Sequence, residues 1–265
     1  MLKATTAVQC VFQRHETKYL LSSAQRARLE AILAEHMTPD TWGRSTICSV
    51  YYDTPSGTLA RRSMEHPLYK EKIRLRSYGD TVRSTVFLEL KKKYDGVVYK
   101  RRCELSPERA QDFLAGRAEP RTQIERELAW SIGRYPGLCS SIYLAYERDA
   151  FYDPADHDVR LTLDQNVRFR TTALAFGHGS FGEPLMDESQ TLMEVKTGQA
   201  MPLWLTRFLS RERLFKSTFS KYSCAYRAWF ERVGRKSCQL GRAPKQLEVP
   251  RPSLAIPGFA VAHAS

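Results

Sequence analysis

The residues best suited to do chemistry recur at alternate positions in five short segments. Arg14, Glu16 and Lys18 share one side of an extended Phe12–Lys18. Lys72, Arg74 and Arg76 share a side with Ile73 and Leu75 opposite, and Glu89 and Lys91 oppose Leu88 and Leu90. Lys100 and Arg102 fall together, and Glu194 and Lys196 flank Val195. Period two is the mark of a strand. One such strand is ordinary, since a half-buried strand shows its polar face to water. Five strands whose polar face is mostly Lys and Arg, with a few Glu among them, point to another arrangement. The apolar residues pack outward against helices and the charged face turns inward. Such an interior is costly unless water fills it or a ligand neutralises it. Guanidinium forks suit phosphate oxygens, ammonium groups add point charges, and the glutamates Glu16, Glu89 and Glu194 offer hard oxygen ligands to Mg²⁺ or Mn²⁺. A wet cationic tunnel of this kind binds a metal-bearing linear chain of phosphates.

The elements that must position these residues are legible from the same alternation. Strands are expected at Val8–Tyr19, Thr46–Asp53, Leu68–Tyr78, Ser84–Tyr94, Val97–Leu105, Ser140–Tyr152, Val159–Phe169 and Leu192–Thr197. Eight strands can close a small barrel and so remove exposed edges. Helices fall between them: Ser22 with Gln25 forms a capping box, Ser106 with Pro107 opens a helix that Gly116 stops, and Thr122 with Glu125 forms a second box. Two more helices are expected over Pro202–Leu214 and Thr218–Val233. The expected fold is α+β: an eight-stranded antiparallel β-barrel with flanking helices, one domain over residues 1–240. Residues 241–265, rich in Pro and basic side chains, read as a loose tail.

Composition agrees with a polyanion partner. The 265 residues carry a net charge of +12 with 42% apolar content, enough for a core. Part of the excess is local: Thr206–Pro252 holds twelve Lys or Arg against three Glu, a solvated basic helix and tail or a surface path for a polyanion. Cys10, Cys48, Cys103, Cys139, Cys224 and Cys238 are far apart, which indicates neither a zinc site nor a disulfide framework. With no signal-peptide pattern and no apolar run of membrane length, a cytoplasmic setting is expected, with membrane association only through a partner. Nucleic acid is not expected, because the aromatic motifs of sheet-type RNA readers are lacking and inward charges would not reach a duplex. Asp53, in Asp-Thr-Pro, reads as a turn residue. Glu147 and Asp149 point away from Arg148 on their strand. Glu89 is either a metal ligand or an ion-pair partner. Gly177, Gly179 and Gly182 read as a flexible loop, since no Gly-Lys-Ser/Thr follows.

The motifs Arg14-His15-Glu16-Thr17-Lys18-Tyr19, Val50-Tyr51-Tyr52-Asp53-Thr54, Lys72-Ile73-Arg74-Leu75-Arg76, Leu88-Glu89-Leu90-Lys91, Tyr146-Glu147-Arg148, Val159-Arg160-Leu161, Met193-Glu194-Val195-Lys196 and Phe219-Ser220-Lys221-Tyr222 occur in order. As a set they resemble the triphosphate tunnel metalloenzymes, and among them the vacuolar transporter chaperone (VTC) polyphosphate polymerases in a bacterial stand-alone form. The resemblance implies that Lys18, Arg74, Arg76, Lys91, Arg148 and Arg160 act on the reacting phosphates, with Lys100, Arg102, Lys196, Ser220 and Lys221 as further phosphate contacts. It implies Glu194 as the metal carboxylate, with Mn²⁺ or Mg²⁺ as cofactor and ATP and inorganic polyphosphate as partners. Two departures stand out. Arg14 occupies the first Glu position of a Glu-x-Glu-x-Lys strand found in related hydrolases, which leans away from hydrolysis. Thr218 stands where similar sequences carry Lys, and Lys216 is a candidate substitute. The sensor domain of fungal relatives is expected to be missing. An inorganic or nucleoside triphosphatase on the same fold, and a non-catalytic polyphosphate-binding module, stay open as alternatives.

Overall fold

The computed structural model describes residues 15–239 except Trp42, His66, 80–83, Gly96 and Gln199. In chain order its elements are β1 (His15–Leu21), α1 (Ser23–His36), β2 (Thr38–Pro39), β3 (Ser45–Asp53), α2 (Thr58–Met64), β4 (Tyr69–Tyr78), β5 (Val86–Tyr94) and β6 (Val97–Leu105). There follow α3 (Pro107–Leu114), α4 (Gln123–Gly133), β7 (Cys139–Tyr152), β8 (Arg160–Arg170), β9 (Glu183–Pro184), β10 (Thr191–Thr197), α5 (Leu203–Arg211) and α6 (Lys221–Gln239). The part of the expected first strand before His15, which includes Arg14, and the expected tail at 241–265 lie outside the described residues.

All ten strands belong to one antiparallel sheet with the order β1-β10-β8-β7-β3-β4-β5-β6, to which β2 and β9 add short pairings with β7 and β8. The expected closed eight-stranded barrel is therefore an open sheet. Among the described residues its ends, β1 and β6, share no backbone ladder. They are brought near each other by curl: Lys91 Nζ on β5 donates to Glu16 Oε2 on β1 at 3.2 Å. A side-chain ion pair spans the seam where a barrel would have hydrogen bonds.

The alternation of each strand sorts the two faces. On the convex side Tyr19, Leu21, Leu161, Leu163, Met193 and Val195 pack on Leu29 and Leu33 of α1 and on Leu205 and Phe208 of α5. Ile73, Leu75, Leu88 and Leu90 pack on Ala110 and Phe113 of α3 and on Leu128 and Ile132 of α4. On the concave side, Ile47, Ile142 and Leu144 in the middle strands lie under Tyr222, Ala225 and Tyr226 of α6. Helix α6 thus covers the concave face at its centre and leaves the charged ends of the strands around a cavity.

Helix starts follow the local chemistry. The Ser22–Gln25 capping box is present in both directions. At α4 only half of the expected box forms: Thr122 accepts from the Glu125 N–H, while the Glu125 carboxylate is drawn to the Arg121 N–H and the Arg109 guanidinium. Helix α2 was not expected, because its capping group lies outside it. Asp53, at the end of β3, accepts from the backbone N–H groups of Thr54, Leu59 and Ala60 and from the Tyr222 hydroxyl at 2.7–2.9 Å. The turn between them uses Gly57 at φ +69°, where a Cβ would strike the Tyr226 ring. Asp53 is thus a structural anchor tying β3, α2 and α6 together, in line with its reading as a turn residue rather than an acid. Asp53→Ala should cost about 3 kcal/mol of stability, since it orphans several buried donors, while Tyr222→Phe should cost about 1 kcal/mol. Chemical denaturation of the two variants checks the order; equal losses would mean that the helix cap contributes nothing beyond the tyrosine bond.

Candidate functional site

The cavity has a volume of about 530 Å³, and every residue singled out above as a phosphate or metal contact lines it. Strand register explains the convergence. Across the ladders Lys18 faces Glu194 and Glu194 faces Thr162; Glu16 faces Lys196 and Lys196 faces Arg160. On the other half of the sheet Tyr51 faces Arg74, Arg74 faces Glu89, and Glu89 faces Arg102; Lys72 faces Lys91 and Lys91 faces Lys100. Between the halves, a β-bulge in β8, where Asn166 (φ +49°) and Val167 together oppose Tyr146 of β7, leaves Arg148 opposite Asp164.

Two carboxylate-centred clusters result. In the first, Glu194 Oε1 lies 3.1 Å from Lys221 Nζ and 3.5 Å from Lys18 Nζ, and its Oε2 lies 3.5 Å from Arg148. Asp164, fully buried, takes both arms of Arg148 at 2.6 Å and Lys221 Nζ at 2.5 Å. Lys18 also reaches Glu16 at 3.3 Å. In the second, Glu89 holds Arg74 at 2.7 Å and Lys100 at 2.6 Å, with Arg102 and Arg76 at 3.7 and 3.8 Å. Arg74 donates further to the Tyr51 hydroxyl at 2.8 Å, and Arg76 to that of Tyr146 at 3.3 Å. Between the clusters, Lys72 Nζ donates to Ser220 Oγ at 2.9 Å. Ser220 sits at the N-terminal cap of α6, where its carbonyl accepts the first helical bond, from Cys224 N.

Sequence reasoning missed Asp164, Lys72 as a site residue, and the tyrosines Tyr51 and Tyr146. Asp164 had a signal, because alternation in Arg160-Leu161-Thr162-Leu163-Asp164 puts it on the face of Arg160. As expected, Glu147 and Asp149 turn away from the cavity, to Arg168 and to Arg26 of α1.

Electrostatics divide the cations into two kinds. Burial works against the charge of Lys18, but Glu194 and Glu16 outweigh it and raise its pKa. Lys221, likewise buried, is raised by Asp164 and Glu194. Lys72 has no carboxylate beside it: burial, then Lys91 and Lys18, push it down to about 7. Burial also brings Lys100 to about 7, with Arg74 and Arg76 adding to it and Glu89 opposing. Lys196 falls to about 8, mainly through burial. The carboxylates go the other way. Burial tends to raise Glu16, yet Lys91 and its neighbours hold it at about 2. Against the same burial penalty, Lys221, Lys18 and Arg148 keep Glu194 well below the carboxylate range.

Among the described residues no group of three or more His, Cys, Asp or Glu is gathered to hold a metal ion; of the expected metal carboxylates, only Glu16 and Glu194 stand together. Glu16 and Glu194 stand on adjacent strands, share the Lys18 ammonium, stay ionised and repel each other. Two carboxylates with open positions for phosphate oxygens and water suit Mg²⁺ or Mn²⁺. Glu89 differs from the metal role expected of it: four cationic side chains surround it, and a divalent ion would have to enter among them. Its geometry is that of an ion-pair partner.

An anion such as phosphate entering the cavity would raise the pKa of Lys72, Lys100 and Lys196, so its binding would take up protons. These groups hold their protons below about 7 in the empty cavity. Affinity for tripolyphosphate should therefore be greatest at or below pH 7 and fall towards pH 9. Calorimetry at pH 8 in two buffers of different ionisation enthalpy reads the uptake directly; zero uptake would discard the lowered lysines.

Comparison with known proteins supplies the family. The model of the VTC domain matches residues 13–230. No curated protein matches the chain. Among solved structures, a candidate adenylate cyclase from Bacillus halodurans aligns with a TM-score of 0.50 at 14% identity, over 80% of this chain and 96% of its own. At that identity the likeness speaks for the fold. A protein of Pyrococcus horikoshii gives 0.44 at 14% identity, over 82% and 98% of the two chains. A candidate adenylate cyclase from Vibrio parahaemolyticus gives 0.43 at 12% identity, over 82% and 99%. The family match spans every strand of the cavity wall and the start of α6 that caps it, and the chain belongs to the VTC domain family.

Proposed function

We propose that this protein is a polyphosphate polymerase that moves the terminal phosphate of ATP onto a growing inorganic polyphosphate inside the cavity. The observation that carries the reading is the number of cations that line one cavity. Arg160, Lys18, Arg148, Lys221, Arg76, Arg74, Lys91 and Lys100 offer the oxygens of several phosphates partners at once, more than a single phosphate could use. Phosphoryl transfer asks little covalent work of a protein: reactants must be aligned, and charge on the equatorial oxygens must be met by fixed donors. Arg148 and Lys221, pinned by Asp164, and Lys18, pinned by Glu194, are preorganised donors for the transferring group. Arg74, Arg76, Lys91, Lys100 and Arg102 hold the chain beyond it. The acceptor is itself an anionic phosphate oxygen, so no side chain has to remove a proton. Glu194 and Glu16 are the residues that would hold Mn²⁺ or Mg²⁺, which would supply charge neutralisation to the phosphates when bound. Two carboxylates provide for one such ion, which favours transfer between phosphates over hydrolysis by a second ion's activated water.

Purified protein incubated with ATP and Mn²⁺ should yield ADP and long-chain polyphosphate, resolved by gel electrophoresis. Free phosphate in place of polymer would make it a triphosphatase. Tight tripolyphosphate binding without turnover would make it a binding module. Glu194→Gln should lower metal-dependent turnover about 100-fold or more while the fold persists by circular dichroism; full activity in that variant would remove Glu194 from the metal site. Arg74→Ala should weaken tripolyphosphate binding about tenfold, through loss of a bidentate donor.

A further inference from the structure

Glu89 has a setting unlike that of any other carboxylate on the wall. It is 1% exposed and lies within 4 Å of four cations: Arg74, Arg76, Lys100 and Arg102. A carboxylate has about four lone-pair sites, far fewer than the N–H donors gathered here. Arg76's buried Nε has no hydrogen-bond partner among the described residues, and Glu89 Oε1 likewise has none, meeting Lys100 and Arg102 only as ion-pair neighbours. The cluster therefore carries net positive charge and spare donors even with Glu89 ionised. All five side chains line the cavity, and the outer two, Lys100 and Arg102, are 39% and 34% exposed. A phosphate oxygen entering from the open side meets the donors that Glu89 already uses, because a guanidinium fork serves carboxylate and phosphate alike.

We propose that Glu89 is a built-in counter-anion of the phosphate path. It occupies Arg74 and Lys100 while the cavity is empty, gives them up to an entering polyphosphate oxygen, and takes them back as the chain leaves. The inference rests on reading the cavity as a polyphosphate path. Its consequence is that Glu89 lowers the affinity of the wall for bound chain and speeds release. Arg76 and Arg102 remain near Glu89 when the other two are engaged, so the carboxylate is never left buried without a partner. The same residue stabilises the empty protein, since without it four cations would face one another across a low-dielectric wall. Stability of the free protein and tightness of phosphate binding thus pull in opposite directions at one position.

Glu89→Gln keeps the shape and removes the charge. Titration calorimetry with tripolyphosphate at pH 6, where Lys72 and Lys100 hold their protons in the native protein, should show about tenfold tighter binding than the native protein, with the gain in a slower off-rate. The free variant should melt below the native protein, and saturating tripolyphosphate should erase the difference. Unchanged or weaker binding would overturn the inference and make Glu89 a residue that merely positions Arg74 and Lys100. Glu89→Asp gives a second reading should the Gln variant not fold. It keeps the charge but withdraws it by one methylene, so a counter-anion predicts a smaller gain in affinity and a positioning role predicts a loss. If the native protein fails to bind tripolyphosphate at all, the phosphate path itself falls, and the inference with it.

Discussion

Cations crowd the inner wall of this sheet, and carboxylates placed among them decide whether the wall can exist. Lys18, Arg148 and Lys221 converge on Glu194 and Asp164; Arg74, Arg76, Lys100 and Arg102 converge on Glu89; Lys91 crosses the seam to Glu16. Removing water from so many like charges without these partners would cost several kcal/mol for each ion. The partners do not neutralise the wall. They fix a few cations in place and leave a positive remainder, which is the condition for receiving an anion of extended shape.

The rest of the fold follows from keeping that face wet. With the concave side given to charge, most of the hydrophobic core lies on the convex side, under α1 and α5 at one end of the sheet and under α3 and α4 at the other. The centre of the concave side is apolar and is covered by α6. Tyr222 stacks on Tyr51 there, with ring centroids 4.4 Å apart. The same helix start delivers Ser220 and Lys221 to the cavity. Asp53 links that start to β3 and α2, so the rigidity of the phosphate-facing end of α6 depends on a buried hydrogen-bond network outside the cavity.

How much of this could be read from residues alone depends on the range over which each feature is determined. All eight long strands were legible, because alternation is local and each ladder merely confirms the face that the pattern assigns. The charged faces converged for the same reason: every strand that turns Ile, Leu or Val to the helices must turn its Lys, Arg and Glu the other way. Helix α2 was not legible, since its cap, Asp53, belongs to the preceding strand and lies six residues from Leu59 in sequence. Barrel closure was misread because it depends on how far two sheet ends approach after seven pairings, which no local pattern encodes. Asp164 was passed over as one acid on a mostly apolar strand. Its importance comes from the pairing that follows the bulge in β8 at Asn166 and Val167, which sets Arg148 opposite it, and alternation along one strand does not reveal the partner across the ladder. Glu89 was recognised as a site residue but not in its setting, since four cations from the two strands that flank it meet only in the folded wall.

The split between pinned and unpinned lysines bears on how such a wall treats a moving polymer. Lys18 and Lys221 stay charged whether or not phosphate is present, because carboxylates raise their pKa values. Lys72, with no carboxylate beside it, is pushed by burial down to about 7 and gains its full charge when an anion lies beside it, while Lys196 falls to about 8 even with Glu194 and Glu16 nearby. A wall made only of pinned cations would bind a chain strongly in one register and resist its advance. A wall made only of unpinned ones would spend binding energy on proton uptake and hold nothing in line. Placing the pinned set where Arg148 and Lys221 meet Asp164, with Lys72 and Lys196 on flanking strands, concentrates alignment at one point and leaves the remainder of the path adaptable. Alignment at one point with loose grip elsewhere is what the proposed repeated transfer to a lengthening chain would require, because each cycle would have to release the chain by one unit and seat it again.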